Sequence, residues 1–137
     1  MTDPSTPPRL LWVTRNCLVD SASGAARSAR EMLLQLAARG VEVEVLGTTI
    51  FDAPPGPGLL GAKLLEGDDP PGTLYRFQDG PLPHRVIRTA SSRASDMTLS
   101  EADALMALFE TVLEEWRPDA VWFYGGLSVD RLIAAEA

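Results

Sequence analysis

Leu10-Leu11-Trp12-Val13-Thr14 is a short apolar run held between Arg9 and Arg15. Its length suits a buried strand better than a helix. A polar loop follows from Arg15 to Ser23, carrying Asn16, Asp20, Ser21 and Ser23. From Ala25 to Arg39, the residues Ala26, Ala29, Met32, Leu33, Leu36 and Ala37 recur at spacings of three and four, one apolar stripe of an amphipathic helix. Ser23 stands where an N-cap hydroxyl accepts an orphan amide of the first turn. Gly40 stands where a left-handed residue closes a helix, and Arg39 suits the negative end of the helix dipole. Val41 to Leu46 completes the unit as a strand. Its valines alternate with Glu42 and Glu44, which predicts one less covered face.

Outward from this unit the chain changes character. Met1 to Pro8 is polar and proline-rich and reads as a flexible tail. Residues 9–137 read as one domain, interrupted by a flexible loop over 53–72, where Pro and Gly break regular structure. Leu74 to Asp79 and Arg85 to Thr89 flank a Gly80-Pro81-Leu82-Pro83 turn and predict a β-hairpin excursion. Thr98-Leu99-Ser100-Glu101 has the pattern of a capping box. The helix it opens carries Leu105, Phe109, Val112 and Trp116 on one face and should stop near Arg117, ahead of Pro118. Ala120 to Tyr124 is unbroken and apolar, as in a strand buried on both faces. Gly125-Gly126 turns the chain, and Val129 to Ala137 begins another helix. The alternation predicts an α/β, Rossmann-like, three-layer domain with a mainly parallel sheet. The first strand should lie between the second and Ala120–Tyr124, or adjacent to both.

A net charge of −7 argues against a nonspecific grip on a nucleic-acid backbone. Cys17 is the single cysteine, so no internal disulfide forms. The N-terminus has no basic, apolar and cleavage-site pattern, and no apolar run approaches the roughly 20 residues that span a bilayer. The expected location is cytoplasmic.

In open parallel sheets ligands bind beyond the carboxyl ends of strands. That places Ser23, Gly24 and Ala25 beside a ligand, with exposed backbone amides at a positive dipole end. Arg27 and Arg30 add charge on the same turns. The plainer reading of these residues is a well-capped helix beside a solvated loop. Gly125 and Gly126 form a second place where amides meet a ligand, or a tight turn, and Asp130 reads as structural. The dinucleotide, P-loop and G-x-S-x-G patterns are all missing, which disfavours nicotinamide, triphosphatase and serine-hydrolase chemistry. His84, the single histidine, sits among prolines and reads as a surface turn residue. No metal site is expected. Trp12, Trp116, Trp122 and Phe109 read as packing, and Glu42, Glu44, Glu114 and Glu115 as solvated.

Ser23-Gly24-Ala25-Ala26-Arg27, with Leu36-Ala37-Ala38-Arg39-Gly40-Val41-Glu42-Val43, resembles the opening of the retaining glycosyltransferases of family 4. Arg117-Pro118-Asp119-Ala120-Val121-Trp122 is similar to the strand entry of that family, and Tyr124-Gly125-Gly126 to its following turn. Ser23 replaces the first of two glycines usual there, which weakens the case for donor-phosphate contact. The resemblance implies half of a GT-B fold: an N-terminal, acceptor-side domain. A C-terminal domain would bind the nucleotide-sugar donor, a co-substrate, with no separate cofactor. It implies that Ser23, Gly24, Ala25, Arg27, Gly125 and Gly126 contact substrate or phosphate, and it names no general base. The paired-glutamate motif of the second domain does not occur here, and His84 is not the family's histidine. The expectation is therefore a fragment inactive alone, able to form a homodimer through an unfinished sheet edge. The competing expectation is a free-standing Rossmann-like binding or interaction module without catalysis.

Overall fold

The computed structural model describes residues 6–53, 60–93 and 96–124. In chain order the elements are β1 (Arg9–Thr14), α1 (Gly24–Ala38), β2 (Glu42–Thr48), α2 (Leu60–Leu65), β3 (Leu74–Asp79), β4 (Leu82–Ile87), α3 (Leu99–Trp116) and β5 (Ala120–Tyr124). The strands form one sheet in the order β3-β4-β2-β1-β5. β1 pairs in parallel with both β2 and β5, β2 in parallel with β4, and β3 antiparallel with β4. The first strand thus lies between the second and Ala120–Tyr124, as the alternation predicts.

The two long helices cover opposite faces, because neighbouring residues of a strand point to opposite sides. Leu10, Trp12, Val43 and Val45 pack under Ala29 and Leu33 of α1. Leu11, Val13, Leu46 and Ile87 pack under Leu105, Phe109 and Val112 of α3. The result is an α/β, three-layer domain compatible with a Rossmann-like fold. Local signals hold at the helix ends. The Ser23 hydroxyl accepts from the Ala26 amide at 3.1 Å. Gly40 has φ +92°, and Thr98 with Glu101 completes the capping box. α3 ends at Arg117, which turns left-handed at φ 52°. No helix among the described residues is long and apolar enough to cross a membrane.

Several expectations need correction. The loop over 53–72 contains α2, and Leu64 is buried against Cys17 and Phe51, so apolar burial orders Leu60–Leu65. Leu82 and Pro83 belong to β4 rather than to the turn, which is tighter and uses Gly80 at φ 57°. β4 accordingly ends at Ile87, short of the predicted Thr89. β5 is not covered on both faces. It pairs only with β1 among the described residues, and its residues alternate between exposed and half-buried. Glu44 is buried rather than solvated, because Arg85 on the neighbouring strand donates to it at 3.1 Å. Residues 1–5 of the expected tail, 54–59 of the expected loop, and the expected helix from Val129 lie outside the described residues.

Candidate functional site

β1 ends at Thr14, and the chain leaves the sheet over its carboxyl edge. The loop stays pinned there. The Cys17 amide donates to the Ile50 carbonyl at 2.8 Å, and the Thr48 hydroxyl donates to the Arg15 carbonyl. Gly47 permits this approach: a Cβ there would stand 3.2 Å from the Asn16 carbonyl oxygen and 3.5 Å from that of Thr14. Asp20 is buried and acts as the second anchor. One carboxylate oxygen accepts from the Ala22 amide at 3.0 Å, the other from the Asp52 amide at 2.7 Å.

Between this loop, the start of α1 and the end of β5 lies a cleft of about 180 Å³. Trp12, Arg15, Asn16, Ser23, Ala25, Asp52 and Tyr124 line it. Its position is the switch point of the sheet. α1 carries the chain from β1 to β2 on one side, while β5 joins β1 on the other, so the loops diverge and leave a crevice. A polar chain runs along the wall. Arg15 Nε and Nη2 donate to Asn16 Oδ1 at 3.2 and 3.1 Å, and Asn16 Nδ2 donates to Asp52 Oδ1 at 3.1 Å. Arg15 Nη1 and Trp12 Nε1 are buried with no hydrogen-bond partner among the described residues. The Trp12 ring stacks with Trp122 at 5.7 Å and with Tyr124 at 5.5 Å. Trp122 is 51% exposed and Tyr124 43%, so an aromatic surface extends from the cleft along β5. The expected packing role of Trp122 is corrected accordingly.

No family model, no curated protein and no solved structure matches the chain.

The sequence-predicted residues divide. Ser23 and Ala25 line the cleft. Gly24 and Arg27 are exposed on the outer side of the first turn. Arg27 lines a wider, shallower depression of about 510 Å³, shared with Asp20, Ser21, Arg30 and Asp79. Gly125 and Gly126 lie outside the described residues. Arg15, Asn16, Asp52 and Tyr124 escaped the sequence reading. Arg15 and Asn16 follow β1 directly, so the carboxyl-edge rule could have found them. Asp52 carries no local signal.

Arg30 is not free to serve a ligand, since it is paired with Asp79, Nε to Oδ2 at 2.6 Å. Its hydrogen bond holds the Asp79 carboxyl below the usual range. His84 is not on the surface. It lies in β4 at 1% exposure, stacked on Phe77 with ring centres 4.6 Å apart. β4 is a strand inserted between β3 and β2, so its inward residues are buried whatever the neighbouring prolines suggest. Burial pushes the His84 imidazole down to about 4, against the opposing pull of Asp79. Burial likewise pushes the Cys17 thiol up to about 12, which leaves it a neutral wall residue. No group of three or more His, Cys, Asp or Glu able to hold a metal occurs among the described residues.

Proposed function

We propose that this chain is the acceptor-side domain of a GT-B glycosyltransferase of the retaining family 4 type. A second domain of the same polypeptide would bind a nucleotide sugar, and the enzyme would work in the cytoplasm. The observation that carries this reading is the chemistry of the cleft wall. An aromatic face from Tyr124, an amide from Asn16, a carboxylate from Asp52 and a guanidinium from Arg15 meet at the switch point. Aromatic rings cover the apolar faces of a sugar, while amide and carboxylate groups exchange hydrogen bonds with its hydroxyls. At about 180 Å³ the cleft falls below the roughly 300 Å³ where pockets for drug-sized ligands begin. A single sugar ring suits it better than a whole nucleotide sugar. Ser23 and Ala25 would position the acceptor from the start of α1. No residue is assigned as general base.

The test is to assay the 137-residue chain and the longest product of its gene against a panel of nucleotide sugars, following nucleoside diphosphate release. The longer product should turn over only with acceptor present. The chain alone should not, because separating donor from acceptor forfeits a positional advantage of up to about 7–11 kcal/mol. Comparable turnover by the chain alone would overturn the two-domain reading. Sugar binding without turnover by any product of the gene would make the domain a binding module.

A further inference from the structure

We propose that the cleft takes the anionic group of an acidic sugar, a phosphate or a carboxylate, with Arg15 Nη1 and Trp12 Nε1 as its donors. This rests on the cleft being the acceptor site and narrows it to charged acceptors. Trp12 is 2% exposed, and its indole N–H has no partner among the described residues. Arg15 Nη1 is also buried and unpartnered among the described residues, while its other nitrogens hold Asn16. A buried donor left unpaired keeps its full desolvation penalty, and native structures hold few such groups. Both residues line the cleft, and two such donors beside one cleft mark a place where an acceptor belongs. Neither an indole nor a guanidinium has a lone pair to offer, so the incoming group must accept both hydrogens.

Charge decides the class of acceptor. Arg15 forms no ion pair among the described residues, whereas Arg9, Arg30 and Arg85 each do. Ala25, on the first turn of α1, lines the same cleft, and its amide makes no backbone hydrogen bond among the described residues. A helix start of this kind favours negative charge. Asp52 stands on the same wall, but Asn16 occupies its Oδ1 and the residue is exposed, so it suits a sugar hydroxyl. Arg15 is only half-buried, so its side chain can turn the third nitrogen onto a ligand.

The experiment follows the indole N–H resonances of the 137-residue chain during titration with glucose 6-phosphate, glucuronate, glucose and inorganic phosphate. Trp12→Phe keeps an aromatic ring, removes one of the three indole signals and so identifies it. Glucose 6-phosphate and glucuronate should shift that signal saturably, and the tighter of the two names the preferred group. Glucose and inorganic phosphate should bind at least about tenfold more weakly, the scale of a lost charge-assisted hydrogen bond. Arg15→Met should weaken both charged sugars by a similar factor. Arg15→Lys, which keeps the charge and loses the fork, should retain the preference at lower affinity, and it serves if the methionine variant fails to fold. Glucose binding as tightly as glucose 6-phosphate would overturn the inference and leave the acceptor reading standing. Inorganic phosphate binding as tightly as glucose 6-phosphate, or no shift with any probe, would overturn both.

Discussion

Arg30 on α1 grips Asp79 at the turn of the β3–β4 hairpin with two parallel hydrogen bonds, Nε to Oδ2 at 2.6 Å and Nη2 to Oδ1 at 2.9 Å. The pair ties the first helix to a hairpin that otherwise joins the sheet through β4 alone. Arg27, one turn earlier, makes no such pair among the described residues and is exposed. Arg30→Ala should therefore lower stability by about 1 kcal/mol, a value discounted because the Arg30 side chain is 38% exposed. Arg27→Ala should stay within about 0.5 kcal/mol. Urea midpoints of the two variants measure the contrast, and equal midpoints would remove the structural role of the pair.

The same carboxylate lies 3.8 Å from His84 Nε2, too far for a hydrogen bond, and both His84 nitrogens lack partners among the described residues. The ring stays neutral in the fold down to about pH 4, against an ordinary value of 6.5. Between those values the unfolded chain binds more protons than the folded one, so stability falls as the pH drops through this window. The expected loss from pH 7 to pH 5 is on the order of 2 kcal/mol. Asp79, held low by Arg30, gives way only in more acidic solution. His84→Leu should abolish the drop between pH 7 and pH 5 at little expense at pH 7, since no hydrogen bond is broken. A wild-type urea midpoint that is flat over this range would contradict the buried neutral imidazole.

A methyl group at Gly47 would press on the Asn16 carbonyl oxygen at 3.2 Å, so the loop has to give way to accept it. Gly47→Ala should push the Arg15–Asn16 segment off β2, with a loss of about 1–3 kcal/mol. The amide of Cys17, bonded to Ile50, should lose hydrogen-exchange protection first. Full protection of that amide in the variant would show that the loop is not packed as tightly as described.

Glu101 is buried at 6% exposure and joins two segments. Its Oε1 accepts from the Thr98 amide and its Oε2 from the Ala90 amide, both at 2.9 Å. Glu101→Ala leaves both amides without their partner and should lower stability by roughly 2–3 kcal/mol, more than a simple cap. Glu110→Ala, on the exposed side of α3, is the control and should stay within about 0.5 kcal/mol. Similar thermal midpoints for the two variants would reduce Glu101 to a surface residue.

Short-range order was legible in the chain. Periodicity and caps marked α1 and α3, with Ser23, Gly40, Thr98 and Glu101 at their ends. Apolar runs marked β1 and β5, and valines alternating with glutamates marked β2, in their parallel arrangement. These features depend on neighbours within a few residues, which a sequence displays directly. Ser23 and Ala25 reached the cleft for the same reason, because a helix start after a strand lies at the carboxyl edge of the sheet. Tertiary placement alone decided the rest. β4 enters the sheet beside β2, and only that pairing buries His84 and gives Glu44 its Arg85 partner. The bend that brings Asp52 to Asn16 joins chain segments with no shared local pattern. The sheet order likewise sets β5 next to β1 with its aromatic residues half open to solvent. Burial and partnership of polar groups are properties of neighbours in space, and a hydrophobic period cannot report them.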